Sequence, residues 1–488
     1  MQLASKHHLM QVTSLKRIIV AIYLPWIVAE FLQFDPVISY ITAWIGSFIV
    51  FYLTLFSPLK YLSLDRPLKF QILRPIVLIQ LIFAGFMCCT SIFYFIDHIG
   101  YEYFTKVRIM NFQSGDQTQW IARSQRIALL AHCTLVVGII SCTKPHPVLK
   151  YKITVTSQTF LFKICIAALG AATLLNYLPG FVQFKYMLIA VSISTSAYIL
   201  VKGAVSKQQT HFIFGGCIFC LNFMNATLTG YKESIIINII LLGFMAFPFY
   251  KKTILLMCLP IGYILLYILP TFTTIIRAQS WMAGKTKETA REQAYRTFMN
   301  EENDEKIVET NWDFLTNRFS EIGMFTAYLK AVPEEHPYYE FDILINSCYA
   351  LVPRIFWEDK PDTEKLAMER VYRLGVAHRS SSVSAKTRPV IDAYLSAGPI
   401  GVFIYMLFYG MLAQAICNNA EKLFGGYQLG CIILFNSIFQ QMWRGNTLEF
   451  LLNNIFYGYL LMLIIHFILK KANILQPYYE DPTHHTVV

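Results

Sequence analysis

The chain has 488 residues, of which 55% are hydrophobic and only 15% charged, with a net charge of +11. That balance excludes an ordinary soluble domain. The positive excess lies mainly in short segments beside apolar runs, so it points to a bilayer and not to nucleic acid.

Apolar runs long enough to cross ~30 Å of hydrocarbon recur along the chain. Lys16 and Arg17 precede the first run, and no small-residue cleavage site follows it. Twelve spans are expected, at 18–34, 37–57, 76–96, 126–143, 158–178, 185–201, 211–229, 234–250, 253–275, 396–416, 426–441 and 448–469. The expected fold is therefore an all-α polytopic membrane protein with transmembrane helices at 1–275 and 396–471 and a short polar tail at 472–488.

The segment 276–395 breaks the pattern. It carries 19 of the 30 Asp and Glu and 16 of the 41 Lys and Arg. Basic residues in the connecting loops alternate. One set, with the N-terminal Lys6, Lys16 and Arg17, holds 17 of them, including Lys144, Lys150, Lys152, Lys422, Lys470 and Lys471. The other short loops hold about seven. The richer set belongs in the cytoplasm, which puts both termini inside and 276–395 outside. Two charged clusters then share the outer face with the large loop: Gly230-Tyr231-Lys232-Glu233 and Trp443-Arg444-Gly445-Asn446. Each reads equally as an interfacial anchor or as the floor of a site.

Most of the eleven cysteines lie in apolar runs, and only Cys348 falls in the large loop. No Cys/His spacing suggests a metal, and no cofactor is expected.

The first half of the loop, 283–330, reads as broken helix with a solvated acidic face at Glu301, Glu302, Asp304, Glu305 and Glu309. The second half opens on Pro353-Arg354-Ile355-Phe356-Trp357-Glu358-Asp359-Lys360-Pro361, whose two prolines favour a rigid, non-helical turn. Arg370, Arg373, Arg379, Lys386 and Arg388 follow with interspersed hydroxyls. Such guanidinium forks suit an anion with many oxygens, and equally suit lipid headgroups. Asp392 stands where the chain re-enters the membrane, a costly place for a carboxylate unless it is paired or used. It could pair with Arg388 one helical turn earlier, or orient a substrate hydroxyl. Gly398 and Gly401 follow, small enough for close helix packing.

The Pro353–Pro361 phrase resembles the loop of bacterial O-antigen polymerases, the oligosaccharide repeat-unit polymerases of the Wzy type. Asp392-Ala393-Tyr394 with Gly398 and Gly401 is similar to the stretch opening their next span, although the acid there is more often Glu. Gly230–Glu233 and Arg444-Gly445 are similar to two shorter family signals. The resemblance implies a GT-C-like architecture in the bacterial inner membrane with a periplasmic loop. It implies transfer of a growing glycan from a polyprenyl diphosphate to a lipid-linked repeat unit, with release of lipid diphosphate. A separate chain-length regulator commonly assists. On this reading Arg354, Arg370, Arg373, Arg388 and Arg444, with Lys232, hold the diphosphate, and Asp392 serves the acceptor. Arg354, Arg444 and Asp392 would then form the catalytic set. Two other readings stay open. One is an O-antigen ligase acting on lipid A core, for which His378 would be the loop histidine. The other is a twelve-helix transporter.

Overall fold

A computed structural model describes residues 2–56, 71–103, 106–107, 115–144, 149–154, 158–178, 181–228, 232–277, 289, 292–296, 304–353, 356–380 and 386–478. The membrane part comprises α1 (Gln2–Phe31), α2 (Pro36–Leu55), α3 (Pro75–His98), α4 (Asp116–Cys142), α5 (Gln158–Leu174), α6 (Val182–Val205), α7 (Gln209–Leu228), α8 (Lys232–Ala246) and α9 (Lys251–Ile276). The loop contributes α10 (Asp304–Phe314), α11 (Ile322–Ala331), α12 (Asp342–Leu351) and α13 (Thr363–Arg373). The chain then returns through α14 (Pro389–Leu423), α15 (Tyr427–Ile438), α16 (Gln440–Arg444) and α17 (Leu448–Lys471).

Each of the twelve expected spans falls on helix. Among the described residues, eight helices are long and apolar enough to cross a membrane, and two more, Ile235–Ala246 and Tyr427–Ile438, are apolar but shorter. The helices at 18–34 and 211–229 are not among these.

The helix α4 forms the centre of one half, with 89% of its apolar window buried against 6% for α9. It crosses α14 at two glycines. A Cβ on Gly138 would lie 2.3 Å from the Leu407 carbonyl oxygen, and one on Gly410 would lie 2.3 Å from that of Leu135. Backbones this close gain dispersion contact that no larger residue permits. Gly410→Ala should therefore destabilise the protein by at least ~1–3 kcal/mol. The check is its thermal unfolding midpoint in detergent, and an unshifted midpoint would show that the crossing tolerates a methyl group.

The long helix α14 is broken. Ala397 and Gly398 leave helical geometry, Gly398 has φ +60°, and Pro399 starts the next segment. Residues 389–396 thus form a short buried half-helix. The expected role of Gly398 in helix packing is corrected here: it supplies the positive φ of the break, against the Tyr338 ring. Only glycine adopts this conformation without strain. Gly401 does permit close approach, within its own broken helix, because a Cβ there would lie 2.1 Å from the Ala393 carbonyl oxygen.

The two ends of the bundle differ. At one, strand β1 (Tyr151–Ile153) pairs with β2 (Leu475–Pro477), and the Lys150 amide donates to the Lys422 carbonyl at 3.0 Å. Lys150, Lys152, Lys422, Lys470 and Lys471 gather there, as the charge alternation requires of one face. Arg74, another of the 17 basic residues in the richer set, is not an interfacial anchor: it is buried in a bidentate pair with Glu421. The loop docks at the other end. Trp312 donates its indole N–H to Asp97 at 2.5 Å, Ser124 and Thr326 hydroxyls bond at 3.0 Å, and Tyr457 donates to the Leu351 carbonyl at 3.0 Å. The described acids Glu305 and Glu309 face outward, as a solvated helix face should.

Candidate functional site

The Pro353–Pro361 turn is built around its lysine. Helix α12 ends at Leu351, leaving carbonyls without helical partners. Lys360 Nζ donates to the carbonyls of Ala350 and Val352 at 2.8 Å each, while Tyr457 takes that of Leu351. The Trp357 ring packs edge-on against Tyr349 at 5.4 Å. Arg354, with Ile355, lies outside the described residues. Lys360→Met should weaken the turn by ~1–3 kcal/mol through the orphaned carbonyls. Faster amide exchange confined to residues 350–360 would report it, and unchanged protection would remove this role from Lys360.

Three helix ends meet beyond that turn. Pro389 opens the short half-helix and holds Arg388 extended, at φ −95° and ψ 162°. Asp392 stands in its first turn, and Glu449 stands in the first turn of α17. Both carboxylates are 0% exposed, and both meet Arg370 from the last turn of α13. The Arg370 guanidinium donates to Glu449 at 2.5 and 3.1 Å and to Asp392 Oδ1 at 3.2 Å. Asp392 Oδ2 accepts the Leu448 amide at 2.8 Å, capping α17 from another element. Acids at helix N-termini and a base at a C-terminus suit the helix dipoles. Burial works against the charge of Arg370, but Asp392 and Glu449 more than offset it and hold the guanidinium above its usual range.

Asp392 therefore pairs with Arg370, not with Arg388 one turn earlier. Arg388 donates instead to the Gly445 carbonyl at 2.7 Å and to Glu321 at 3.3 Å, and lies over the Phe86 ring at 4.9 Å. Arg388 and Arg444 line one small cavity of about 30 Å³. Arg373 is exposed on α13. Lys232 begins α8, but its side chain lies outside the described residues. His378 is exposed and bonded to Ser380 at 2.6 Å.

A chamber of about 710 Å³ opens between the membrane helices. One wall comes from α5, α6, α7 and α8, the other from α15, α16 and the start of α17. The helix α6 gives Gln183 and Tyr186, α7 gives Asn222 and Asn225, and α8 gives Asn238. The facing wall gives Asn436, Gln440, Gln441, Trp443, Arg444 and Asn446, and α17 adds Asn453 and Asn454. Ten of the 23 lining residues are thus carboxamides. Among the described residues, Arg444 is the one charged group that lines it. Asp392 and Glu449 do not reach this wall. Arg444 is legible in the sequence as a charge at a span end, whereas the amides carry no charge to mark them.

A family model described as "Domain of unknown function (DUF8712)" matches residues 24–477. The chain belongs to the DUF8712 family. The match takes in every wall of the chamber and the Arg370 cluster, so both are built within the DUF8712 region. No curated protein and no solved structure matches this DUF8712 chain.

Proposed function

We propose that this chain is a membrane glycosyltransferase that joins polyprenyl-diphosphate-linked oligosaccharide repeat units. In this reading twelve helices cross the bacterial inner membrane in a GT-C-like arrangement. Both termini are cytoplasmic and the loop 276–395 is periplasmic. The observation that carries the proposal is a polar chamber of about 710 Å³ between apolar helices, lined among the described residues by ten carboxamides and a single guanidinium, Arg444. Carboxamides donate and accept hydrogen bonds without burying charge, as hydroxyl-rich ligands require. The position beside the loop lets lipid tails stay in the bilayer while the sugars enter.

The reaction breaks the bond between the donor's anomeric carbon and the diphosphate oxygen. The acceptor hydroxyl oxygen forms the new bond, and its proton ends on the departing diphosphate. Negative charge develops on that diphosphate, and Arg444 stabilises it. Arg388 supports Arg444 from the small cavity that both line. Asp392 and Glu449 are occupied by Arg370, so they position the loop against α17 and do not act as bases.

The protein purified into nanodiscs tests this with a short-prenyl diphosphate repeat unit. Lipid diphosphate and a ladder of longer glycans are expected. Product formed only when lipid A core is supplied would make it a ligase. Solute uptake into liposomes without bond formation would make it a transporter.

A further inference from the structure

We propose that the chamber accepts uncharged sugars and discriminates against sugars bearing a carboxylate. The inference rests on the polymerase reading only for the identity of the lipid-linked donor.

The direction of the amide hydrogen bonds carries it. Asn222 Nδ2 donates to the Ile218 carbonyl at 3.0 Å, and Asn454 Nδ2 donates to the Phe450 carbonyl at 2.8 Å. Asn436 Nδ2 donates to the carbonyls of Leu73 and Cys431 at 3.0 and 2.9 Å. A backbone carbonyl only accepts, so these contacts fix which end of each amide is nitrogen. The oxygens remain as acceptors on residues that line the chamber. Asn436 Oδ1 is buried with no partner among the described residues. The Trp443 side chain lines the chamber, and its Nε1 is likewise buried with no partner among the described residues. Unpaired buried groups are expensive unless a ligand satisfies them.

Sugar hydroxyls satisfy both kinds. They donate to amide oxygens and accept from an indole N–H. A carboxylate only accepts, so it leaves the oxygens of Asn222, Asn436 and Asn454 unpaired and faces their negative ends. It also finds, among the described residues, one lining cation, which the diphosphate takes.

The test compares two probes by calorimetric binding to the full chain in nanodiscs. One is a citronellyl-diphosphate trisaccharide of neutral hexoses. The other differs by one hexuronic acid. The neutral probe should bind roughly tenfold tighter or better. Asn454→Leu should narrow that preference by weakening the neutral probe alone, and Asn454→Arg should favour the acidic probe. Equal binding, or tighter binding of the acidic probe by wild type, overturns the inference while leaving lipid diphosphate release intact. Neutral preference without any turnover keeps the inference and removes the polymerase reading.

Discussion

Arg370→Met should unfold the junction between the loop and the membrane bundle, at a loss of about 3–5 kcal/mol. Arg370 is 4% exposed and faces two carboxylates that are 0% exposed. Removing the guanidinium leaves Asp392 and Glu449 buried together with like charge and no countercharge. By contrast, Asp392→Asn removes one of the two acids and leaves the bidentate Arg370–Glu449 pair. Its amide oxygen can still accept the Leu448 N–H. Its Nδ2 then faces an Arg370 donor, so that variant should lose some stability, but less than Arg370→Met, and keep its turnover. The combination Arg370→Met, Asp392→Asn, Glu449→Gln removes every charge and should recover most of the loss, since isosteric neutral groups often replace buried ion clusters without penalty. Thermal unfolding with limited proteolysis of the loop gives the readout. If Arg370→Met were as stable as wild type, the cluster would not be the clamp. If Asp392→Asn folded fully but lost turnover, Asp392 would act on substrate after all.

What the sequence revealed depended on how local each signal was. Apolar length is local, so helix was expected wherever a span was expected. Charge alternation is nearly local, and Lys150, Lys422 and Lys470 do come together at one end. The short half-helix at 389–396 was hidden, because Gly398 in an apolar run reads as a packing residue until φ is known. The pairing of Arg370 with Glu449 joins positions 79 apart, and nothing in spacing selects that acid over Glu364 or Glu369. The chamber was hidden for a chemical reason. Asn and Gln carry no charge, so Asn222, Asn225, Asn238, Asn453 and Asn454 did not register as a polar surface. Asn222 and Asn225 stand three residues apart, and Asn453 and Asn454 are adjacent, within apolar helices. That spacing could have marked them, because amides in hydrocarbon need partners just as charges do.

Arg444→Ala should lower lipid diphosphate release by about 10²–10³-fold, the usual loss when one donor to a developing oxyanion is removed. The residue ends α16, and Gly445 follows with φ +64°, which turns the chain toward α17. Arg444 is thereby held at the chamber wall with Trp443 on one side and Asn446 beyond the turn. The loss should appear in kcat more than in KM, because charge on the diphosphate grows as the bond breaks. Arg444→Lys should recover only part of the rate, since an ammonium restores the charge but not the planar fork that grips two oxygens. Protein levels and thermal midpoint should stay near wild type in both variants, which separates this role from the structural one of Arg370. A fall in KM and kcat together with the midpoint would make Arg444 a structural residue. Wild-type release from Arg444→Ala would take the diphosphate away from the chamber altogether and return it to Arg388 or to the Arg354 turn.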